Sequence, residues 1–157
     1  MKKINIISIV VISILFLSCG FKTINQKNTN LVYLKNINIS GERRIAYSLK
    51  NDLLLLSNEN SKNKFNVEIK LSKKRISKIK DTAGKVTRYN LSLSADLKMI
   101  SLDTNKKLQN QFTRTLDYDV AKIHSDTINN ENSAVKDITQ QISNDIDNFI
   151  NLMMRNR

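Results

Sequence analysis

The only cysteine in the chain, Cys19, stands just after a short apolar run near the N-terminus. Lys2 and Lys3 precede a largely apolar run of 14 residues, 4–17, and the small Ser18 separates that run from Cys19. A cationic start, a short apolar stretch and a small residue are typical of a secretory signal. The run is shorter than the roughly 20 residues of a membrane-spanning helix. We therefore expect cleavage after Ser18 and diacylation of Cys19, with palmitate among the acyl chains, which leaves a mature chain of 139 residues.

The residue after the cysteine indicates which membrane the chain reaches. Gly20 stands where an aspartate would favour retention at the inner membrane of enterobacteria, so we expect the outer membrane, facing the periplasm. Each buried CH₂ contributes about 0.8 kcal/mol, so two or three acyl chains on Cys19 hold a protein stably on a bilayer. Two alternatives stay open: an uncleaved N-terminal membrane anchor, and ordinary signal cleavage beside an unmodified cysteine.

A second group of residues with evident chemistry is a run of lysines and arginines. Between positions 62 and 88 there are ten basic and two acidic residues, in a chain whose formal net charge is +12. Ammonium and guanidinium groups bind phosphates and acidic sugars. The candidate anion-binding residues surround one predicted turn and are Lys73, Lys74, Arg75, Lys78, Lys80, Lys85 and Arg88. The alternative is a solvated strand face whose lysines discourage edge-to-edge aggregation.

Other chemistry has few residues to support it. A single cysteine and a single histidine, His124, exclude a disulfide framework within the chain and metal centres built from several Cys or His. The segment 84–87 ends like a phosphate-binding loop but lacks the Ser/Thr directly after Lys85. Asp117 and Asp119 share a strand face, and we interpret them as solvated edge charges because no third acid converges with them. We expect a protein that is not an enzyme and uses no metal or cofactor.

Hydrophobic periodicity predicts the helices that must position these groups. The segment 31–39, rich in β-branched and aromatic residues, predicts a first strand. A cap within 40–42, with an acid in the first turn, then begins a helix whose apolar face is Ile45, Leu49, Leu53 and Leu56. The tail predicts a second helix, capped within 130–133. Its apolar face is Ala134, Ile138, Ile142, Ile146, Phe149 and Met153, and Ser143, Asn144 and Asp147 are directed away from that face.

Three further strands lie between the two helices. Apolar and polar residues alternate over 65–71 and over 89–99, and a last strand covers 108–120. Turns are expected at 81–84 and 103–105. The order β-α-β-β-β-α predicts an α+β two-layer sandwich, in which a four-stranded, mostly antiparallel sheet carries both helices on one face.

The domain organisation follows from these patterns. We expect a lipoprotein signal peptide at 1–18, a polar, lipidated tether at 19–30 and a single α+β domain at 31–157. Within that domain the alternation fades over 73–80, where the cations gather. We therefore expect the backbone to be least regular there.

Several short motifs along the mature chain form one recognisable pattern. In chain order they are CGF at 19–21, GERR at 41–44, RYNLSLSADL at 88–97 followed by Leu102-Asp103, LDYDVA at 116–121, and the amphipathic tail from Ala134. Together they resemble the lipopolysaccharide (LPS) assembly lipoproteins of the LptE type, the alphaproteobacterial ones in particular. The resemblance covers nearly the whole mature chain.

The resemblance implies an outer-membrane lipoprotein that sits partly inside an LptD-like β-barrel and supports barrel assembly and LPS delivery to the cell surface. LPS carries phosphates and acidic sugars, which the basic residues are suited to bind, and no covalent step is implied. Two other interpretations stay open: a generic periplasm-facing lipoprotein adaptor of another envelope complex and, more remotely, a nucleic-acid-binding protein. The scarcity of aromatic residues among the cations and the export signal both disfavour nucleic acid.

Overall fold

The computed structural model describes residues 32–155, which form six elements. In chain order they are β1 (Tyr33–Ser40), α1 (Arg43–Leu56), β2 (Lys64–Lys80), β3 (Val86–Ser101), β4 (Lys107–Asp119) and α2 (His124–Arg155). This order confirms the predicted β-α-β-β-β-α arrangement. The predicted signal peptide, Cys19 and the tether lie outside the described residues.

One mixed sheet carries the whole fold. Its strand order is β1-β2-β3-β4, with β1 parallel to β2 and the other neighbours antiparallel. Parallel neighbours need a crossover between them, and α1 supplies it. The predicted four-stranded, mostly antiparallel sheet is therefore confirmed.

The core lies between one face of the sheet and the two helices. Alternate residues of β2 and β3 point into it, as the period-two pattern predicts. The largest fully buried side chains come from both layers: Phe65, Ile69, Leu91, Leu93 and Met99 from the strands, and Ile45, Leu49, Leu53, Ile138, Ile142 and Ile146 from the helices. No helix within residues 32–155 is long and apolar enough to cross a membrane.

The start of α1 differs from the prediction. Ser40 remains in β1, where its hydroxyl donates to the carbonyl of Ile69 at 3.4 Å, and Gly41 turns the chain with a φ of +121°. Glu42 occupies the N-cap position without a side-chain cap hydrogen bond, and the first turn contains no acid. The N-cap residue thus lies within the expected 40–42, but its side chain does not cap the helix, because the Glu42 carboxylate pairs with Lys73 instead.

The tail helix α2 is longer than the prediction. It begins at His124, so the expected caps at 130–133 lie inside the helix. Ser143 is 5% exposed, which corrects its expected outward position. Because α2 packs against α1 as well as the sheet, its buried stripe is wide enough to include small polar residues. At the C-terminal end Met154 is buried, whereas Met153 is 37% exposed.

The cationic part of β2 is continuous strand, and the only register shifts in its pairing with β3 fall within 73–80, where the sequence predicts the least regular backbone. Pairing with β3 continues from Phe65↔Ser101 to Lys80↔Val86, with register shifts only around Ile79. Main-chain hydrogen bonds do not require an apolar face, so the ladder continues after the hydrophobic alternation has faded. The turn expected at 81–84 joins these two strands.

Candidate functional site

The seven predicted anion-binding residues lie on one structure, the part of the β2–β3 hairpin from Lys73 to Arg88, here called the cationic hairpin. Asp81 builds its turn: one carboxylate oxygen accepts hydrogen bonds from the backbone N–H of Ala83 at 3.0 Å and of Lys85 at 2.8 Å. Gly84 adopts a φ of +80°, a conformation that glycine tolerates without strain. The Asp81 carboxylate is thus occupied by the backbone.

On the helix-facing side of the hairpin, Glu131 of α2 gathers three groups. Its carboxylate accepts a hydrogen bond from the hydroxyl of Tyr118 at 2.9 Å and another from the guanidinium of Arg75 at 2.8 Å. The ammonium of Lys73 lies 3.7 Å from the same carboxylate and 2.8 Å from that of Glu42. Two of the predicted cations are therefore paired with acids at the helix-facing surface of the fold.

The ionisation of this cluster follows from its partial burial. Burial raises the pKa of Glu131, but the hydrogen bonds from Tyr118 and Arg75 and the charges of Arg75 and Lys73 outweigh that effect, so the pKa lies below its ordinary value. Burial raises the pKa of the Tyr118 phenol, and the hydrogen bond to Glu131 acts in the same direction. At neutral pH the site therefore contains an ionised Glu131 and a protonated Tyr118.

Two tyrosines form the floor of this cluster. The rings of Tyr89 and Tyr118 stack with centroids 5.6 Å apart, and the guanidinium carbon of Arg75 lies 4.9 Å from the centre of the Tyr89 ring. A cation over an aromatic face is favourable at this distance. Arg75 is thus held by a ring and a carboxylate together.

On the opposite sheet face, β4 supplies partners for two more cations. Asp117 accepts a hydrogen bond from the side-chain amide of Asn90 at 2.7 Å and pairs with Lys78. The Asn90 hydrogen bond and then Lys78 lower the pKa of Asp117. Arg88 binds Asp119 at 2.6 Å. The two aspartates therefore act as cross-strand ion-pair partners.

Three of the seven candidates remain open to solvent. Lys74, Lys80 and Lys85 are exposed, and no ion pair joins them to another side chain among residues 32–155. Ile76 and Ile79 lie between Lys74 and Lys80 on β2, and their side chains are 59% and 45% exposed. The open surface of the hairpin thus combines unpaired ammonium groups with apolar side chains, a combination suited to an amphipathic anion.

The sequence pattern locates the cations but misses their acidic partners. Residues 117–147 contain seven acids and two lysines, a visible signal of opposite charge. Which acid meets which base depends on strand register and helix placement, as in the two-point contact of Arg114 with Asp145 at 2.6 and 2.7 Å. Within the described part of the chain, no three His, Cys, Asp or Glu side chains converge to hold a metal ion.

The sequence matches no family model and no curated protein. Solved structures do match. The rare lipoprotein B from Shewanella oneidensis superimposes with a TM-score of 0.63 at 16% identity, over 81% of this chain and 98% of that one. A candidate lipoprotein from Caulobacter crescentus CB15 gives a TM-score of 0.55 at 14% identity, over 77% and 92%. Uncharacterized lipoprotein B from Nitrosomonas europaea gives 0.49 at 17% identity, over 79% and 88%. At such identities the two likenesses with TM-scores above 0.5 establish the fold alone, which this chain shares with the Shewanella and Caulobacter lipoproteins.

Proposed function

We propose that this chain is an outer-membrane lipoprotein, anchored through acyl chains on Cys19 at the periplasmic face, and a subunit of an LPS transport and assembly complex. The observation that carries the proposal is the fold shared with rare lipoprotein B from Shewanella oneidensis, over 98% of that chain. The lipoprotein signal at 1–19 and the motifs that resemble LptE-type proteins support the same class. In this proposal an LptD-like β-barrel is the partner.

The cationic hairpin is the proposed LPS site. Lys74, Lys80 and Lys85 offer ammonium groups to phosphates, and the exposed Ile76 and Ile79 offer apolar surface to acyl chains. An exposed charge pair contributes only about 0–1 kcal/mol, so the affinity must come from several cations acting on one multivalent ligand. Binding should weaken as salt screens these charges.

The test is LPS binding by the full chain in detergent. We expect the triple substitution Lys74→Glu, Lys80→Glu and Lys85→Glu to reduce the affinity for LPS at least tenfold, measured by titration over a salt series. These lysines form no ion pair within residues 32–155, so the fold should persist, as circular dichroism will verify. A matched control reverses Lys62, Lys106 and Lys107, which are exposed at the opposite end of the sheet.

The control makes the same change in net charge and should bind LPS with an affinity close to that of the wild type. Equal losses in the two triple variants would contradict a hairpin site and indicate attraction to overall charge. The barrel partner is tested separately, by purification of the tagged chain from intact envelopes. An LptD-like barrel is expected in the eluate, and a different envelope complex would favour the general adaptor.

A further inference from the structure

The strand β2 has an edge that β1 covers only in part. β1 pairs with β2 through Ser40↔Lys70, and Gly41 then turns the chain out of the sheet into α1. From Ser72 to Lys80, the side of β2 away from β3 faces no strand among residues 32–155. We call this stretch the open edge. It spans nine residues, longer than the β1 segment that pairs with β2.

The ladder identifies which backbone groups the open edge presents. The backbone carbonyl of Lys64 accepts a hydrogen bond from the N–H of Leu102, just after β3. The even-numbered residues of β2 therefore direct their backbone N–H and C=O groups toward β3. The backbone carbonyl of Ile69 accepts a hydrogen bond from the hydroxyl of Ser40, on the β1 side. The odd-numbered residues of β2 therefore direct their backbone groups away from β3. Antiparallel ladders alternate in this way along the strand. Lys73, Arg75 and Ser77 therefore direct N–H and C=O groups away from the sheet.

We propose that the open edge receives an extended acidic segment of a partner protein as an added strand. Main-chain hydrogen bonds at such an edge give affinity, and alternating side chains give specificity. The open edge contains five cations and no acid. Two of these cations, Lys74 and Lys80, have no ion-pair partner among the described residues. Ile76, 59% exposed, lies on the same strand face as Lys74 and Lys78, so the methylene groups of acidic side chains on that face would cover part of it.

Charge also argues against a second copy of this chain as the occupant. Antiparallel pairing of two open edges about Ser77 would bring Lys74 of one copy opposite Lys80 of the other. Like charges directly opposite each other destabilise a strand pair. The occupant that complements this edge is therefore a segment in which glutamate or aspartate alternates with apolar residues. The inference concerns a polypeptide partner and does not depend on LPS binding.

The experiment uses the full chain in detergent and a fluorescein-labelled decapeptide of alternating glutamate and valine, with fluorescence anisotropy as the readout. A decapeptide of alternating lysine and valine is the charge control. A third peptide repeats the acidic one with N-methyl groups on every second residue, which removes the donors on one side of the strand. We expect the acidic peptide to bind at least tenfold more tightly than either of the other two.

Ser77→Pro tests the same edge from the protein side. Proline is tolerated on an edge strand when its nitrogen faces outward, and it removes one donor to an incoming strand without changing charge. We expect this variant to bind the acidic peptide at least tenfold more weakly and Ser77→Ala to match the wild type. If Ser77→Pro fails to fold, the comparison of the N-methylated with the unmethylated acidic peptide still tests whether the peptide binds as an added strand. Equal binding of the methylated and unmethylated acidic peptides would overturn strand addition, and so would a dimer that Ser77→Pro abolishes.

Discussion

At the scale of single residues, Glu131 connects the layers of the fold. It lies on α2, accepts a hydrogen bond from Tyr118 of β4 and pairs with Arg75 of β2. The Glu131 side chain is 23% exposed, so water only partly screens these contacts. A hydrogen bond to a charged group contributes about 1.5–3 kcal/mol under such conditions. Its ionised form is therefore part of what stabilises the native state.

Replacing this carboxylate should make stability depend less on pH. We expect Glu131→Gln to lower the free energy of unfolding by about 1–3 kcal/mol at pH 7. The folded-state pKa of Glu131 is depressed, so its contribution is present above the unfolded-state value of about 4.3 and is lost as the pH falls through the folded-state value. Urea titrations between pH 3 and pH 7 should show the two proteins converging at the acidic end.

Glu59→Gln is the matched control, because Glu59 is exposed and forms no ion pair within residues 32–155. That substitution should leave the urea midpoint unchanged at every pH. A constant difference between wild type and Glu131→Gln from pH 3 to pH 7 would contradict the proposed role of the ionised carboxylate.

At the scale of elements, the junction between β1 and α1 decides where the sheet ends. A β-carbon at Gly41 would lie 2.7 Å from the carbonyl oxygen of Leu71, a backbone atom that cannot easily move. The φ of +121° is also a conformation that residues with side chains rarely adopt. Only glycine permits β1 to approach β2 this closely and then leave the sheet.

Alanine at this junction should therefore be costly. We expect Gly41→Ala to destabilise the fold by about 2–4 kcal/mol, since backbone strain of about 1–3 kcal/mol adds to the clash with Leu71. Gly84→Ala provides a comparison, because φ is also positive there but a β-carbon would meet nothing within 4 Å. It should cost about 1 kcal/mol. Similar urea midpoints for the two variants would show that the close contact with Leu71 does not add to the cost of a side chain at position 41.

Much of the element pattern could be predicted from sequence, and most of the ion pairing could not. The alternation from Phe65 to Leu71 and from Tyr89 to Met99 identifies buried faces because burial repeats with the period of the strand. Arg114 has no such signal. It lies on the helix-facing side of β4 and meets Asp145, which is 31 residues further along the chain in α2. The ladder that continues through the cations was missed because main-chain pairing does not depend on side-chain hydrophobicity.

At the scale of the whole molecule, the sequence predicts a lipid anchor at Cys19 that holds the protein on a membrane. If Cys19 carries the acyl chains, Cys19→Ala should leave a protein that is soluble or uncleaved and does not float with outer membranes in a density gradient. The acyl chains supply the membrane affinity, since about 0.8 kcal/mol comes from each buried CH₂. Cys19→Ser, which also lacks a thiol, should behave in the same way. An unmodified Cys19 in the mass spectrum of the native protein would exclude the anchor.

The direction and length of β2 give the molecule two distant poles. The described chain begins at Val32, and the next residue, Tyr33, pairs with Lys64 at the start of β2, whereas the turn at Asp81 lies at the far end of that strand. Seventeen residues of strand span about 50 Å, well beyond the roughly 30 Å of a bilayer's hydrocarbon core. A group attached near Val32 would therefore be held about 50 Å from a group that contacts the turn at Asp81. One continuous strand thus separates the start of the described chain from the turn at Asp81.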